Sequence, residues 1–170
     1  YSNIFAGGVF SANTNANSVV DITTAAMVLT QDQTVYALRT SQSISSGVGQ
    51  YNTITFADGA TNADRGGLIT TGTPTIATNL KFGTTGTKEG IIYTAGNTTL
   101  SGDIYAGSIT KFGGSTLTIA KDQTAAANGT GFAGNWTVNG GALTLNTFGA
   151  SGDGGTITLN ASGTTSGAGT

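Results

Sequence analysis

Apolar residues along this chain recur at a spacing of two, in short bursts separated by Gly, Asn, Asp and Ser. The pairs are Val20/Ile22, Tyr36/Leu38, Ile54/Phe56, Leu80/Phe82, Leu117/Ile119, Trp136/Val138, Leu143/Leu145 and Ile157/Leu159. Side chains two apart in an extended strand share a face, so each burst reads as a short half-buried strand closed by turns. No segment keeps the i, i+3, i+4, i+7 spacing of an amphipathic helix for long; the nearest, Thr24–Leu29, is too short. The pattern predicts an all-β protein with almost no helix.

A sandwich, a barrel and a solenoid all suit short strands. A sandwich of this length buries broad faces and needs more bulky residues than each burst offers. Two or three inward side chains per strand fit a narrow coil whose rungs bury their faces on one another. The expected fold is therefore all-β, a right-handed parallel β-helix (a single-stranded solenoid). At roughly 20 residues per rung it makes about eight rungs, and at about 4.8 Å between strands it is about 35–40 Å long.

Composition agrees and excludes other classes. Only 37% of the 170 residues are hydrophobic and 8% are charged, about a third of the usual charged share. Disordered chains of low hydrophobicity are rich in charge and Pro, whereas this one has a single Pro and draws its polarity from Thr, Asn, Ser and 28 Gly. Threonine packs well on a pleated surface because its Cβ is branched. Net charge is −2, and the six cations are scattered at positions 39, 65, 81, 88, 111 and 121. A nucleic-acid partner requires concentrated basic surface, so none is expected. No apolar run approaches the roughly 20 residues that cross a bilayer, so no membrane insertion by this segment is expected. Tyr1–Phe10 lacks the basic start and apolar core of a signal peptide, so if the protein is secreted its export signal is expected outside this sequence. Cysteine and histidine are absent, which removes disulfides, thiolate metal sites and the commonest general base.

The candidate chemistry is thin. The acids are Asp21, Asp32, Asp58, Asp64, Glu89, Asp103, Asp122 and Asp153. Glycoside cleavage needs two carboxyls about 5–9.5 Å apart. No pair stands out; Asp58 and Asp64 could share one loop beside Arg65, but turn and surface solvation is the ordinary reading. Asp58, Asn62 and Asp64 also offer oxygens to calcium, without EF-hand spacing or its closing Glu. The Gly149–Ile157 segment carries one acid and occurs once, unlike calcium-binding nonapeptides that act as stacked copies. No phosphate-binding G-x-x-x-x-G-K-[ST] is present. Thr53/Thr55, Thr71/Thr73/Thr75, Thr116/Thr118 and Thr156/Thr158 would make an ice-binding array only if they shared one face of successive rungs. No catalytic, cofactor-binding or metal-binding residue is assigned, and no cofactor is expected.

The stretch Ser108–Leu145 resembles the autotransporter-associated β-strand repeat. The matching positions are Ile109-Thr110-Lys111, Gly113, Thr116-Leu117-Thr118-Ile119, Gly134, Thr137-Val138, Gly141, Leu143 and Leu145. Tyr36–Ile104 is similar to what often precedes that repeat, through Ala37-Leu38-Arg39, Gly66-Gly67-Leu68-Ile69 and Thr98–Ile104. Ser115 stands where the family tends to have Gly, and Asp122–Ala133 is a longer insertion, expected as a loop. Alternation should turn Leu117 and Ile119 inward and Thr116 and Thr118 outward. Asn139-Gly140-Gly141 suits a tight corner, and Phe132 and Trp136 are read as core filler. The resemblance implies an autotransporter passenger-type β-helix at a bacterial cell surface.

The expected organisation is one β-helix segment, 1–170, of a longer surface protein. Residues 35–107 form upstream rungs, 108–146 the repeat, and 160–170 a linker. The expected role is an extracellular structural or adhesive module that assembles with its own copies, end-to-end or side-by-side, into a filament or array. A cell-surface glycan or protein is the other partner class, and a β-helix polysaccharide lyase or hydrolase is the alternative.

Overall fold

A computed structural model describes residue 16 and residues 18–57, 66–124, 131–160 and 163–167. Strands are numbered along the chain. Sheet 1 stacks β1 (Val19–Ile22), β4 (Ala37–Thr40), β7 (Gly67–Thr70), β10 (Glu89–Thr94), β13 (Ser108–Phe112), β15 (Asn135–Val138) and β17 (Ile157–Leu159) in that order. Sheet 2 stacks β2 (Met27–Leu29), β5 (Ile44–Ser46), β8 (Thr75–Ile76), β11 (Thr98–Leu100), β14 (Thr116–Ile119), β16 (Gly141–Leu145) and β18 (Gly163–Gly167). Sheet 3 is shorter, with β3 (Gln33–Val35), β6 (Thr53–Phe56), β9 (Asn79–Phe82) and β12 (Ile104–Tyr105).

Every strand pairing is parallel and joins a strand to its counterpart one rung away. The chain is thus a parallel β-solenoid, and among the described residues no helix interrupts it. Seven strands in each long sheet, against about eight expected rungs, give about 29 Å of stack at about 4.8 Å per step. Residues 163–167, expected within a linker, instead form β18 and pair with β16.

Alternation selects the core. In sheet 1, Val20, Leu38, Leu68, Ile92, Lys111, Val138 and Leu159 occupy one inward register position. In sheet 2, Met27, Ile44, Ile76, Leu100, Ile119 and Leu145 form a second column. In sheet 3, Val35, Phe56 and Phe82 stack, the two ring centres 4.8 Å apart and their planes nearly parallel at 10°. Burial of these columns against each other drives the coil closed. Leu117 and Ile119 point in while Thr116 and Thr118 face out, as alternation requires.

Two of the apolar pairs need correcting. Tyr36 precedes β4 and is exposed, so the inward pair of that strand is Leu38 and Thr40. Ile157 is half-buried and Leu159 exposed, because β17 has a neighbour on one side only within its sheet.

At the corner from sheet 1 to sheet 2, backbones of successive rungs nearly touch. A Cβ on Gly96 would lie 1.8 Å from the carbonyl oxygen of Gly72. The obstacle is backbone, so neither rung can yield cheaply. Gly96→Val is expected to cost about 3 kcal/mol, the upper end for overpacking. Chemical denaturation would measure it; an unchanged midpoint would contradict this corner's geometry.

Candidate functional site

The described acids take different partners. Asp21 pairs with Arg39 across β1 and β4 on the outer face of sheet 1, where Arg39 Nε donates at 2.9 Å. Glu89 accepts from Thr110 on the same sheet, and Asp103 forms a largely buried ion pair with Lys121 at 2.5 Å. Asp32 accepts from the Thr53 amide at 2.8 Å, linking two rungs. Asp122 accepts from the Thr124 amide at 2.9 Å, and that bond holds its carboxyl below the usual carboxylate range. Asp58, Asn62, Asp64 and Arg65 lie outside the described residues, as does part of the Asp122–Ala133 insertion. The two ends of that insertion are anchored: Gln123 and Phe132 are buried, and the Phe132 amide donates to the Gln123 carbonyl at 2.7 Å. Gly149–Ile157 is a glycine-shaped corner, with the Gly152 amide donating to the Gly149 carbonyl at 2.9 Å.

The threonines of these pairs are split among three sheets, with Thr71, Thr73 and Thr156 lying between strands. Thr53 and Thr55 lie on β6, Thr75, Thr116 and Thr118 on sheet 2, and Thr158 on β17. They do not make one face. A different ladder does form outside sheet 2: Thr75, Thr99, Thr118, Thr144 and Ser166 are aligned in register.

Two features escaped the sequence reading. The first is inside. Thr40, Thr70 and Thr94 are fully buried at the end of their strands, at the corner between sheets 1 and 2. Thr40 donates to the Gln42 carbonyl at 2.7 Å, Thr70 and Thr98 share a hydroxyl bond of 2.5 Å, and Thr94 donates to the Ser115 carbonyl at 3.1 Å. On the next rung Lys111 takes over, with 0% of its surface exposed. Its Nζ donates to the carbonyls of Gly140 at 2.7 Å and Gly113 at 3.0 Å. Burial disfavours the ammonium form and brings its pKa from 10.5 down to about 8. The signal was in the sequence: Lys111 sits two residues after Ile109 on one strand, so it shares the inward face.

The second feature is outside sheet 1. Asp21, Arg39, Ile69, Tyr93 and Phe112 form one outward column in register. Ile69, Tyr93 and Phe112 are each about two-fifths exposed, and Ile91 stands beside them on β10. Apolar and aromatic groups on consecutive rungs give contact area with little side-chain entropy to lose.

Among the described residues, no group of three or more His, Cys, Asp and Glu side chains gathers in a metal-binding arrangement. No helix there is long and apolar enough to cross a membrane. Compared with known proteins, the chain matches no family model, no curated protein and no solved structure.

Proposed function

We propose that this chain is a structural or adhesive β-solenoid module of a bacterial secreted or cell-surface protein, of the autotransporter passenger type, which assembles with its own copies into a filament or array. The observation that carries this reading is the unbroken inward columns of sheets 1 and 2. They make a rod whose stiffness comes from every rung lying on its neighbour, with long lateral faces free for contact. The outward Ile69–Tyr93–Phe112 strip supports a side-by-side contact through sheet 1. The resemblance of Ser108–Leu145 to the autotransporter-associated repeat supports the extracellular setting.

Sedimentation velocity and negative-stain imaging of the purified chain test the assembly. Higher-order species are expected, and the double variant Tyr93→Ser, Phe112→Ser should weaken lateral association by about tenfold or more, since covering the two-fifths of each side chain that is exposed contributes about 1 kcal/mol apiece. A chain that stays monomeric up to its solubility limit would remove the assembly claim.

A further inference from the structure

Sheet 3 carries an outward column of its own: Thr55, Lys81 and Tyr105 are aligned in register on β6, β9 and β12. Beside it the turn after β9 rises as a wall. Gly83 and Gly86 both have positive φ, +74° and +73°, and the Gly86 amide closes the turn on the Gly83 carbonyl at 3.1 Å. The hydroxyls of Thr85 and Thr87 bond at 2.7 Å across it. A Cβ on Gly86 would stand 2.9 Å from the Cβ of Tyr105 and 3.5 Å from the Cγ of Lys81. Only glycine lets the turn, at this positive φ, press onto Tyr105, while Lys81 lies at ordinary contact distance.

Between this turn and residues 131–134 lies a groove of about 400 Å³ whose lining includes Tyr105. It adjoins a second hollow of about 330 Å³, lined by Thr53, Lys81, Thr85 and Tyr105. No residue lining either space is acidic. The ion pairs between described residues engage Arg39 and Lys121, and none engages Lys81. The groove offers one aromatic ring, the methyls of Ala106 and Ala133, threonine hydroxyls and glycine-exposed backbone, and the adjoining hollow adds the Lys81 ammonium. An aromatic ring packs against the apolar face of a pyranose, hydroxyls and peptide groups exchange hydrogen bonds with its hydroxyls, and the ammonium pairs with an anionic substituent.

We propose that this groove binds an acidic sugar ring, carboxylated or sulfated, within an extracellular polysaccharide. This deepens the adhesive reading above and rests on its extracellular setting. Tyr105 supplies the stacking face, Lys81 the counter-charge, and the 83–87 turn the wall that orients the ring.

The test is a titration of the isotope-labelled chain, followed by amide shifts, with three probes: a trigalacturonate, a sulfated trisaccharide and neutral maltotriose. Saturable shifts at Thr85, Tyr105 and Gly107 are expected with an acidic probe, and whichever acidic probe binds names the anion. Maltotriose should bind about tenfold more weakly, the contribution of one charge-assisted hydrogen bond. Lys81→Gln should reduce the acidic probe to the neutral level, Lys81→Arg should largely restore it, and Tyr105→Ala should abolish binding of both. Thr144→Ala, on another sheet, should change nothing. Lack of saturable shifts with both acidic probes, or an unchanged affinity in a folded Lys81→Gln variant, overturns the proposal. Sedimentation of the same samples keeps the outcomes separable: persistent assembly without sugar binding removes this groove alone.

Discussion

Trp136→Ala is expected to destabilise the protein by about 3–5 kcal/mol, the range for truncating a large buried aromatic. Trp136 is fully buried on β15, in register between Ile109 and Ile157, so its loss opens a void spanning three rungs. Phe132 meets it edge-to-face, with ring centres 5.3 Å apart and planes at 66°. The indole N–H donates to the Ser151 carbonyl at 3.0 Å, tying the distant corner to the core. Trp136→Phe would keep most of the volume and strand that carbonyl, costing about 1–3 kcal/mol. For a chain of this size, each kcal/mol shifts the midpoint by about 2–4 °C, so the alanine variant should melt about 6–20 °C lower. Neighbouring rungs stabilise each other pairwise, so amide exchange should accelerate first at β13, β15 and β17. A midpoint within about 2 °C of the parent would mean that the indole is not core.

Lys111 should reveal itself through pH. In the folded protein it loses its proton near pH 8, whereas in the unfolded chain it does so near 10.5. Between those values the unfolded state binds more protons, so stability rises with pH across that window. Below about pH 8 the cost of burying the ammonium is present in full; above about 10.5 it is gone. The gap corresponds to about 3 kcal/mol at most, and the carbonyls of Gly140 and Gly113, by favouring the charged form, should trim it. Lys111→Met keeps the stem's packing and removes the titration. It should stay within about 2 kcal/mol of the parent at pH 7, since exchanging a buried charge for an apolar group is often neutral or stabilising. Its stability relative to the parent should then fall steadily from pH 8 to 10.5. Lys111→Ala adds a cavity and should lose about 2–5 kcal/mol at pH 7. Denaturant midpoints for the three proteins across pH 7–10.5 decide the matter, and parallel curves for parent and methionine variant would place the amine in water.

These two positions mark what the sequence makes legible. Period-two alternation identified the inward residues at Ile54/Phe56, Leu80/Phe82, Leu117/Ile119 and Leu143/Leu145 because one side of each strand must be apolar. Trp136 was readable as core on the same ground, and Phe132 as a large apolar group close to it in sequence. Lys111, Thr40, Thr70 and Thr94 were not, because polar side chains read as outward unless something inside satisfies them. Their acceptors are carbonyls and hydroxyls at rung corners, contributed by residues up to 29 positions away. Tyr36 was misplaced because parity extends a strand past its real start. The groove residues are adjacent only after coiling: Lys81 and Tyr105 are 24 positions apart and meet through strand register.

The same register holds although the rungs differ in length. Val19 pairs with Ala37 after 18 positions, Ala37 with Gly67 after 30, and Ser108 with Asn135 after 27. The extra residues enter between strands and leave the pairing of their flanks intact, which explains why equal sequence spacing was a poor guide to shared faces. A coil built this way tolerates length polymorphism at its corners. Changes of length at a corner should leave Phe56 and Phe82 stacked and Leu38 on Leu68. New segments can therefore be added one corner at a time, without renegotiating the interior.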